Sequence, residues 1–367
     1  MKLGDARTPV IFTALAVASA LGVVQACSSP STATSEAPIL GGQLDTGHPA
    51  VVALTMSKPG PRFPKCTGTM IGVDLEKGVG YVLTAAHCAA DATDVLVQRG
   101  NDRSQVSELI EYAMLDYRVS PAYPGFVPSA DDVAIVRVLG VDASTPVIPL
   151  IAAADSVGTG SAVLSVGFGR TVPPEIPTDA GVNTKKNRID GSITRVSQSI
   201  FTVGYPGGST CVGDSGGPLI AVKDGHEVVV GVQSTAQVID GIECQGTAGH
   251  VDVKRSSAFF ASVFALPAPA PGCDVCRKLA TSGSASCGAS KRSCAADSAC
   301  EAVRSCISDC TTYVGDAGLD GGVAGCMASC RAAYASGVAA YDEKIASCPC
   351  RVCADTCAGD AVCTSVQ

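Results

Sequence analysis

The stretch Cys211-Val212-Gly213-Asp214-Ser215-Gly216-Gly217-Pro218-Leu219 decides how the chain is read. Gly213, Gly216 and Gly217 allow a backbone that other residues resist and a close approach to a ligand. A turn of this kind exposes the Ser215 hydroxyl and aims backbone N–H groups at one point, as stabilisation of a developing oxyanion requires. Serine is a weak nucleophile unaided. The stretch therefore predicts a histidine base and an orienting carboxylate elsewhere.

Both have candidates. Thr84-Ala85-Ala86-His87-Cys88 follows an apolar run, Tyr81–Leu83, and offers His87 as the base. The chain has 4 histidines, and His48, His226 and His250 lie in polar or glycine-rich contexts that read as loops. Asp131-Asp132-Val133-Ala134-Ile135-Val136 puts a carboxylate at the mouth of a buried strand. Asp132 directly precedes the apolar run and is the stronger candidate, with Asp131 reading as a solvated cap.

From residue 39 to about Val253 the apolar runs are short and β-branched: Val51–Leu54, Gly80–Leu83, Val95–Val97, Val133–Leu139, Ala162–Val166 and Val228–Val232. Gly, Pro, Asn and Asp separate them, which is the pattern of an all-β barrel or sandwich. Phe259/Val263 and Phe260/Phe264 are four apart and predict a helix over Ser256–Leu266. With 46% apolar and 16% charged residues, no Trp and 4% aromatics, the core is aliphatic. The net charge of −8 excludes an electrostatic case for nucleic acid.

The set Ile39-Leu40-Gly41-Gly42, Cys66, Thr84–Cys88, Asp132-Val133-Ala134, Gly167-Phe168-Gly169 and Gly213–Pro218 resembles the trypsin/chymotrypsin-type serine proteases. The resemblance covers 39–266 in the family order His, Asp, Ser. It implies an all-β domain of two six-stranded barrels, with Ser215 as nucleophile, His87 as general base and Asp132 as its orienter. It further implies an oxyanion hole from the N–H groups of Gly213 and Ser215, and disulfides Cys66–Cys88 and Cys211–Cys244. In such proteins a freed N-terminal ammonium pairs with the acid before the serine, here Ile39 with Asp214. Pro38 departs from the basic residue usual before that cut. By the same resemblance Ser209, Ser234, Ala236 and Gly249 line the specificity pocket. Ser209 brings no acid to its base, and Ser234-Thr235-Ala236 replaces the usual Ser-Trp-Gly. The expectation is cleavage after small or medium apolar residues of a protein or peptide, without a cofactor. A protease fold used for binding, with little turnover, is the competing reading.

The N-terminus reads as an export signal over 1–26. Lys2 and Arg7 precede an apolar run, Val10–Val24, of about 15 residues, where a spanning helix needs roughly 20. Val24-Gln25-Ala26-Cys27 is similar to a bacterial lipobox, which would make Cys27 a lipid anchor to the membrane and 27–38 a tether or pro-segment. The expectation is an exported bacterial protein, either a lipoprotein anchored at the outer membrane, in the periplasm or at the cell surface, or secreted after a cut at Ile39. Residues 267–272 read as a proline-rich linker.

Of the 19 cysteines, fourteen lie in 273–367. Cys306/Cys310, Cys326/Cys330 and Cys353/Cys357 are spaced i, i+4 and share helix faces. Cys273-x2-Cys276 and Cys350-x2-Cys353 have zinc-ligand spacing. An exported chain, an even count and no histidine favour a helical disulfide scaffold. Pairings Cys306–Cys330 and Cys310–Cys326 would staple two helices. A segment of this kind would suit a partner at the cell surface, or serve as a spacer.

Overall fold

In a computed structural model of the chain the described residues are 39–58, 65–171, 183–239, 242–283, 285–312, 322–360 and 363. The export signal, Cys27, the tether and Pro38 lie outside them.

Two antiparallel barrels form the body of the molecule. In the first, β2 (Val51–Ser57), β3 (Lys65–Asp74), β4 (Val79–Thr84), β5 (Asp94–Arg99), β6 (Ile110–Val119) and β7 (Ala134–Leu139) close in the order β2-β3-β4-β7-β6-β5. In the second, β8 (Ala162–Gly167), β9 (Asn187–Ser197), β10 (Ile200–Gly204), β11 (Pro218–Lys223), β12 (His226–Ile239) and β13 (Ile242–Asp252) form a sheet that β8–β9 pairing closes. The short β1 (Gln43–Leu44) adds to the edge of β9. Closure removes the exposed sheet edges that invite mispairing.

The six apolar runs read between residues 39 and 253 fall in strands, with Val133 just ahead of β7. β6, β9 and β13 escape a reading of apolar runs because much of their surface is half-buried and polar, as in Asn187-Arg188-Ile189-Asp190-Gly191-Ser192. Helix α1 (Ala86–Ala89) is a single turn carrying His87. Helix α2 (Ser257–Phe264) buries Phe260 and Val263 and places Phe264 edge-on to Tyr81 of β4, ring centroids 4.8 Å apart. The end of the second barrel is thereby tied back to the first.

The C-terminal region is helical: α3 (Cys273–Thr281), α4 (Ser286–Ala295), α5 (Ser298–Thr312), α6 (Gly322–Ala333), α7 (Val338–Tyr341) and α8 (Cys348–Val352). Its fourteen cysteines form seven disulfides: 273–357, 276–353, 287–348, 294–300, 306–330, 310–326 and 350–363. The pairs 306–330 and 310–326 staple α5 to α6, and both zinc-spaced pairs are oxidised. The two small cores here consist mostly of cysteine, with Val303, Ile307 and Tyr341. So little apolar area would leave such a region marginal without cross-links.

The linker does not hold this region away from the barrels. Arg137, ion-paired with Asp116, donates to the Pro267 carbonyl at 3.1 Å. Where β6 parts from β5, the Ala113 amide donates to Ser282 Oγ at 2.8 Å and the Gly283 amide to the Glu111 carbonyl at 2.7 Å. Lys291 pairs with the Glu111 carboxylate. The described residues of the barrels and of the helical region accordingly form one compact unit.

Ser282 is 1% exposed and also donates to the Lys278 carbonyl. Ser282→Ala leaves the half-buried Ala113 amide without its acceptor and should cost about 1 kcal/mol. Urea denaturation reads this, and amide exchange at Ala113 should accelerate. An unchanged midpoint and unchanged exchange would mean that the contact does not hold the region in place.

Candidate active site

The site is built at the seam between the barrels. Asp132 is fully buried (0% exposed), and its carboxylate accepts three hydrogen bonds. The His87 amide donates to Oδ1 at 2.9 Å, and His87 Nδ1 lies 2.8 Å from Oδ2. The third donor, Ser234 Oγ, comes from β12 of the other barrel at 2.6 Å. Ser234, expected as part of the pocket wall, is thus a partner of the carboxylate. Asp131 turns outward to Arg255, with Nε 3.0 Å from Oδ1. With Nδ1 held by Asp132, the acceptor nitrogen of a neutral His87 ring is Nε2.

Ser215 reaches the same place through Thr67, which the sequence reading missed. The Thr67 amide donates to the Ser215 carbonyl at 2.8 Å. Its hydroxyl donates to the Gly213 carbonyl at 2.9 Å and accepts from the Phe168 amide at 3.1 Å. Its carbonyl accepts from Thr84 Oγ1 at 2.9 Å. Thr67 follows Cys66, and Cys66 is bonded to Cys88, next to His87. One position of β3 therefore fixes the histidine loop and the next fixes the serine loop. Gly216 lets them meet: a Cβ there would lie 2.0 Å from Thr84 Oγ1 and 2.4 Å from the Thr67 carbonyl. The described residues contain no hydrogen bond between Ser215 Oγ and the His87 ring, a contact that often tightens only when substrate is bound. Nor do they offer an acceptor to the amides of Gly213 and Ser215, although Gly216, Gly217 and Asp214 N–H groups are all paired.

Asp214 points the other way, into the protein. It is 2% exposed and accepts from the amides of Gly169 and Cys211, each at 2.8 Å. A Cβ on Gly169 would sit 2.3 Å from its carboxylate, which explains the glycine there. No cation pairs with Asp214 among the described residues. Burial raises its pKa to about 7 against the two amide hydrogen bonds, which lower it. Ile39 is fully buried, and the Leu40 carbonyl accepts from the Ser209 amide at 2.9 Å, so the start of the folded chain docks on the segment that leads to Asp214.

The remaining pocket candidates lie on the second barrel. Ser209 is buried, with no hydrogen-bond partner for its hydroxyl among the described residues. Cys211 is bonded to Cys244 on β13. Gly249 pairs with Thr235 and Ala248 with Ala236 across β12 and β13. A Cβ on Gly249 would lie 2.5 Å from Thr235 Oγ1, so Thr235 covers the glycine where an aromatic was noted as missing. Two histidines read as loop residues are buried instead. His250, in β13, contacts Ser165 Oγ and Tyr205 Oη, and burial lowers its pKa to about 3. His48 lies between Asp45 and Glu227, which raise its pKa.

The trypsin family model matches residues 40–255, well over half of the chain. The chain belongs to the trypsin family. It is 28% identical over 172 residues to brachyurin of Leptuca pugilator, covering 42% of this chain and 70% of that protein. It is 30% identical over 175 residues to the snake venom serine protease BthaTL of Bothrops alternatus, covering 44% of this chain and 71% of that one. Human heparin binding protein shares the fold, with a TM-score of 0.50 at 19% identity over 64% of this chain and 100% of that chain. The family match ends before the disulfide-linked helices.

A carboxyl whose folded pKa exceeds its unfolded value stabilises the fold in its protonated form. For Asp214 that contribution is complete below about 3.8 and is lost as the pH rises through about 7. In the chain uncut before Ile39, wild type should therefore lose stability relative to Asp214→Asn over this range, by at most ~1.4 kcal/mol per pH unit. Urea unfolding at several pH values gives the difference. A difference independent of pH would contradict the burial of an unpaired Asp214.

Proposed function

We propose that the protein is an exported serine endopeptidase acting through Ser215, His87 and Asp132. The observation that carries this reading is the buried Asp132 carboxylate holding His87 by Nδ1 while Thr67 ties the Ser215 loop to the histidine loop. Family membership supports peptidase chemistry.

In this mechanism the Ser215 oxygen attacks the carbonyl carbon of the scissile bond and its proton passes to His87 Nε2. The carbonyl oxygen becomes an anion and is received by the amides of Gly213 and Ser215. His87 then gives its proton to the leaving amine as the C–N bond breaks, which leaves an acyl ester on Ser215. Water, deprotonated by His87, attacks the ester and releases the carboxylic acid. Asp132 stays ionised throughout and stabilises the imidazolium. A pocket with Ser209 at its base and no acid suits small or medium apolar side chains better than Arg or Lys.

Asp214 supplies the switch. Cleavage between Pro38 and Ile39 would free an ammonium on a residue that is already buried beside the Ser209 segment. Pairing would relieve the uncompensated carboxyl and fix the turn that aims the Gly213 and Ser215 amides. Before that cut, a lipid on Cys27 would anchor the protein to the membrane; the cut would release the enzyme. The disulfide density supports an oxidising, extracytoplasmic location. Among the described residues no helix is long and apolar enough to cross a membrane.

A fluorophosphonate should label Ser215 in protein whose N-terminus is Ile39. Ser215→Ala should lose the label and at least about 10³-fold in kcat/KM on peptide substrates. Absence of an adduct in correctly cut protein would favour a binding role for the fold.

A further inference from the structure

A cationic face of the first barrel, two residues along β3 from the contact with Ser215, has no paired anion among the described residues. Lys65, the first residue of β3, pairs across the strands with Thr55 of β2, so the two side chains share one face of the first barrel. Thr55 Oγ1 accepts from Arg103 at 2.8 Å, which lays the guanidinium on that same face beside Lys65. Arg103 Nε is buried without an acceptor. No carboxylate among the described residues pairs with either cation. Asp102, adjacent in sequence to Arg103, is occupied by Ser104. Asp94, on the same face of β5, accepts from its neighbour Val95. Lys58 continues the positive charge toward the histidine loop: its Nζ donates to the His87 carbonyl at 3.0 Å, and Asp91 is the acid that acts on it.

The electrostatics agree with the geometry. Burial holds Arg103 below its ordinary pKa, and for Lys65 the loss of solvent comes first and repulsion from Arg103 second. Each is less comfortable as a cation in the fold than in water, and an arriving anion would reverse that.

Position relative to the nucleophile decides what the anion is. Two residues beyond Lys65, Thr67 holds the Ser215 carbonyl, and two residues of strand span about 7 Å. Between them Cys66 is bonded to Cys88, next to the histidine that protonates the leaving amine. In the mechanism proposed above the pocket residues Ser209 and Ser234 belong to the second barrel, which assigns the acyl side of the scissile bond there and the leaving peptide to the side of His87 and the start of β3.

We propose that Lys65 and Arg103 form a subsite for an acidic side chain of the substrate on the leaving-group side of the scissile bond. The enzyme would then favour protein segments in which a cleavable small apolar residue is followed within a few positions by Asp or Glu. This rests on the serine endopeptidase reading above and narrows its substrate class.

The test uses pairs of internally quenched peptides that differ only in Glu against Gln at the first three positions after the cleaved bond. For wild type, kcat/KM for the Glu member should exceed that for the Gln member by roughly fivefold to thirtyfold, the span of one or two partly exposed charge pairs. The preference should shrink in 0.5 M salt. Lys65→Glu should invert it, and Arg103→Gln should reduce it. The ratio is taken within each variant, so a general loss of folding cancels. Equal rates in wild type, or an unchanged ratio in Lys65→Glu, would overturn the proposal. Anisotropy of the labelled Glu and Gln peptides on Ser215→Ala reads the subsite without turnover. If the fluorophosphonate fails to label wild type, the peptidase reading fails, and binding selectivity alone then decides the subsite. Binding of a polysulfated polymer without discrimination between the two peptides would also overturn the proposal, in favour of a general polyanion surface.

Discussion

A carboxylate with no exposure to water must be fully hydrogen-bonded, and the arrangement of the site follows from satisfying Asp132. Its donors are drawn from both barrels: the backbone and ring of His87 on one side, Ser234 of β12 on the other. Removing one partner of a buried charge of this kind costs ~3–5 kcal/mol. The two barrels are therefore held in one relative placement by the same contacts that orient the imidazole. Thr67 completes the seam by gripping the serine loop at Gly213 and Ser215 while Thr84 grips Thr67. Stability and chemistry draw here on the same few atoms.

Asp214 presents the opposite case. It is buried almost as deeply, one residue from Ser215, yet its hydrogen bonds among the described residues come from two backbone amides alone. The fold tolerates this because the carboxyl is protonated more readily. A group left in this condition responds strongly to any cation that reaches it. The docked Ile39–Leu40 segment brings the one chain end that would become such a cation after cleavage. Control by processing is thus consistent with the electrostatics of one carboxyl.

Much of this was legible in the sequence, for physical reasons that differ by region. The triad candidates stand at the ends of apolar runs or in a glycine-rich turn, and their type and order carry the chemistry. Cysteines four apart put Cys306/Cys310 and Cys326/Cys330 on helix faces, while the staple 306–330 and 310–326 was one of many connectivities that spacing allows. Thr67 gave no signal, because its role comes from a strand neighbour across the seam and not from its own context. His250 looked like a loop residue because Gly246, Thr247 and Gly249 surround it; only the pairing of β13 with β12 and β10 shows it to be interior. Docking of the cysteine-rich helices on β6 was hidden by the proline-rich stretch, which reads as a spacer although the Ser282 and Gly283 contacts follow one helix later. The meeting of Lys65 with Arg103 depends on β2–β3 register, which no local pattern encodes.

The proposed chemistry depends on Asp132 fixing the tautomer of His87. Nitrogen NMR of the His87 ring in protein cut before Ile39 reads this tautomer. At a pH where the ring is neutral, the expected result is a proton on Nδ1, an unprotonated Nε2, and loss of that preference in Asp132→Asn. A ring protonated mainly on Nε2 in wild type would contradict it, because Nε2 would then have no lone pair to take the proton of Ser215.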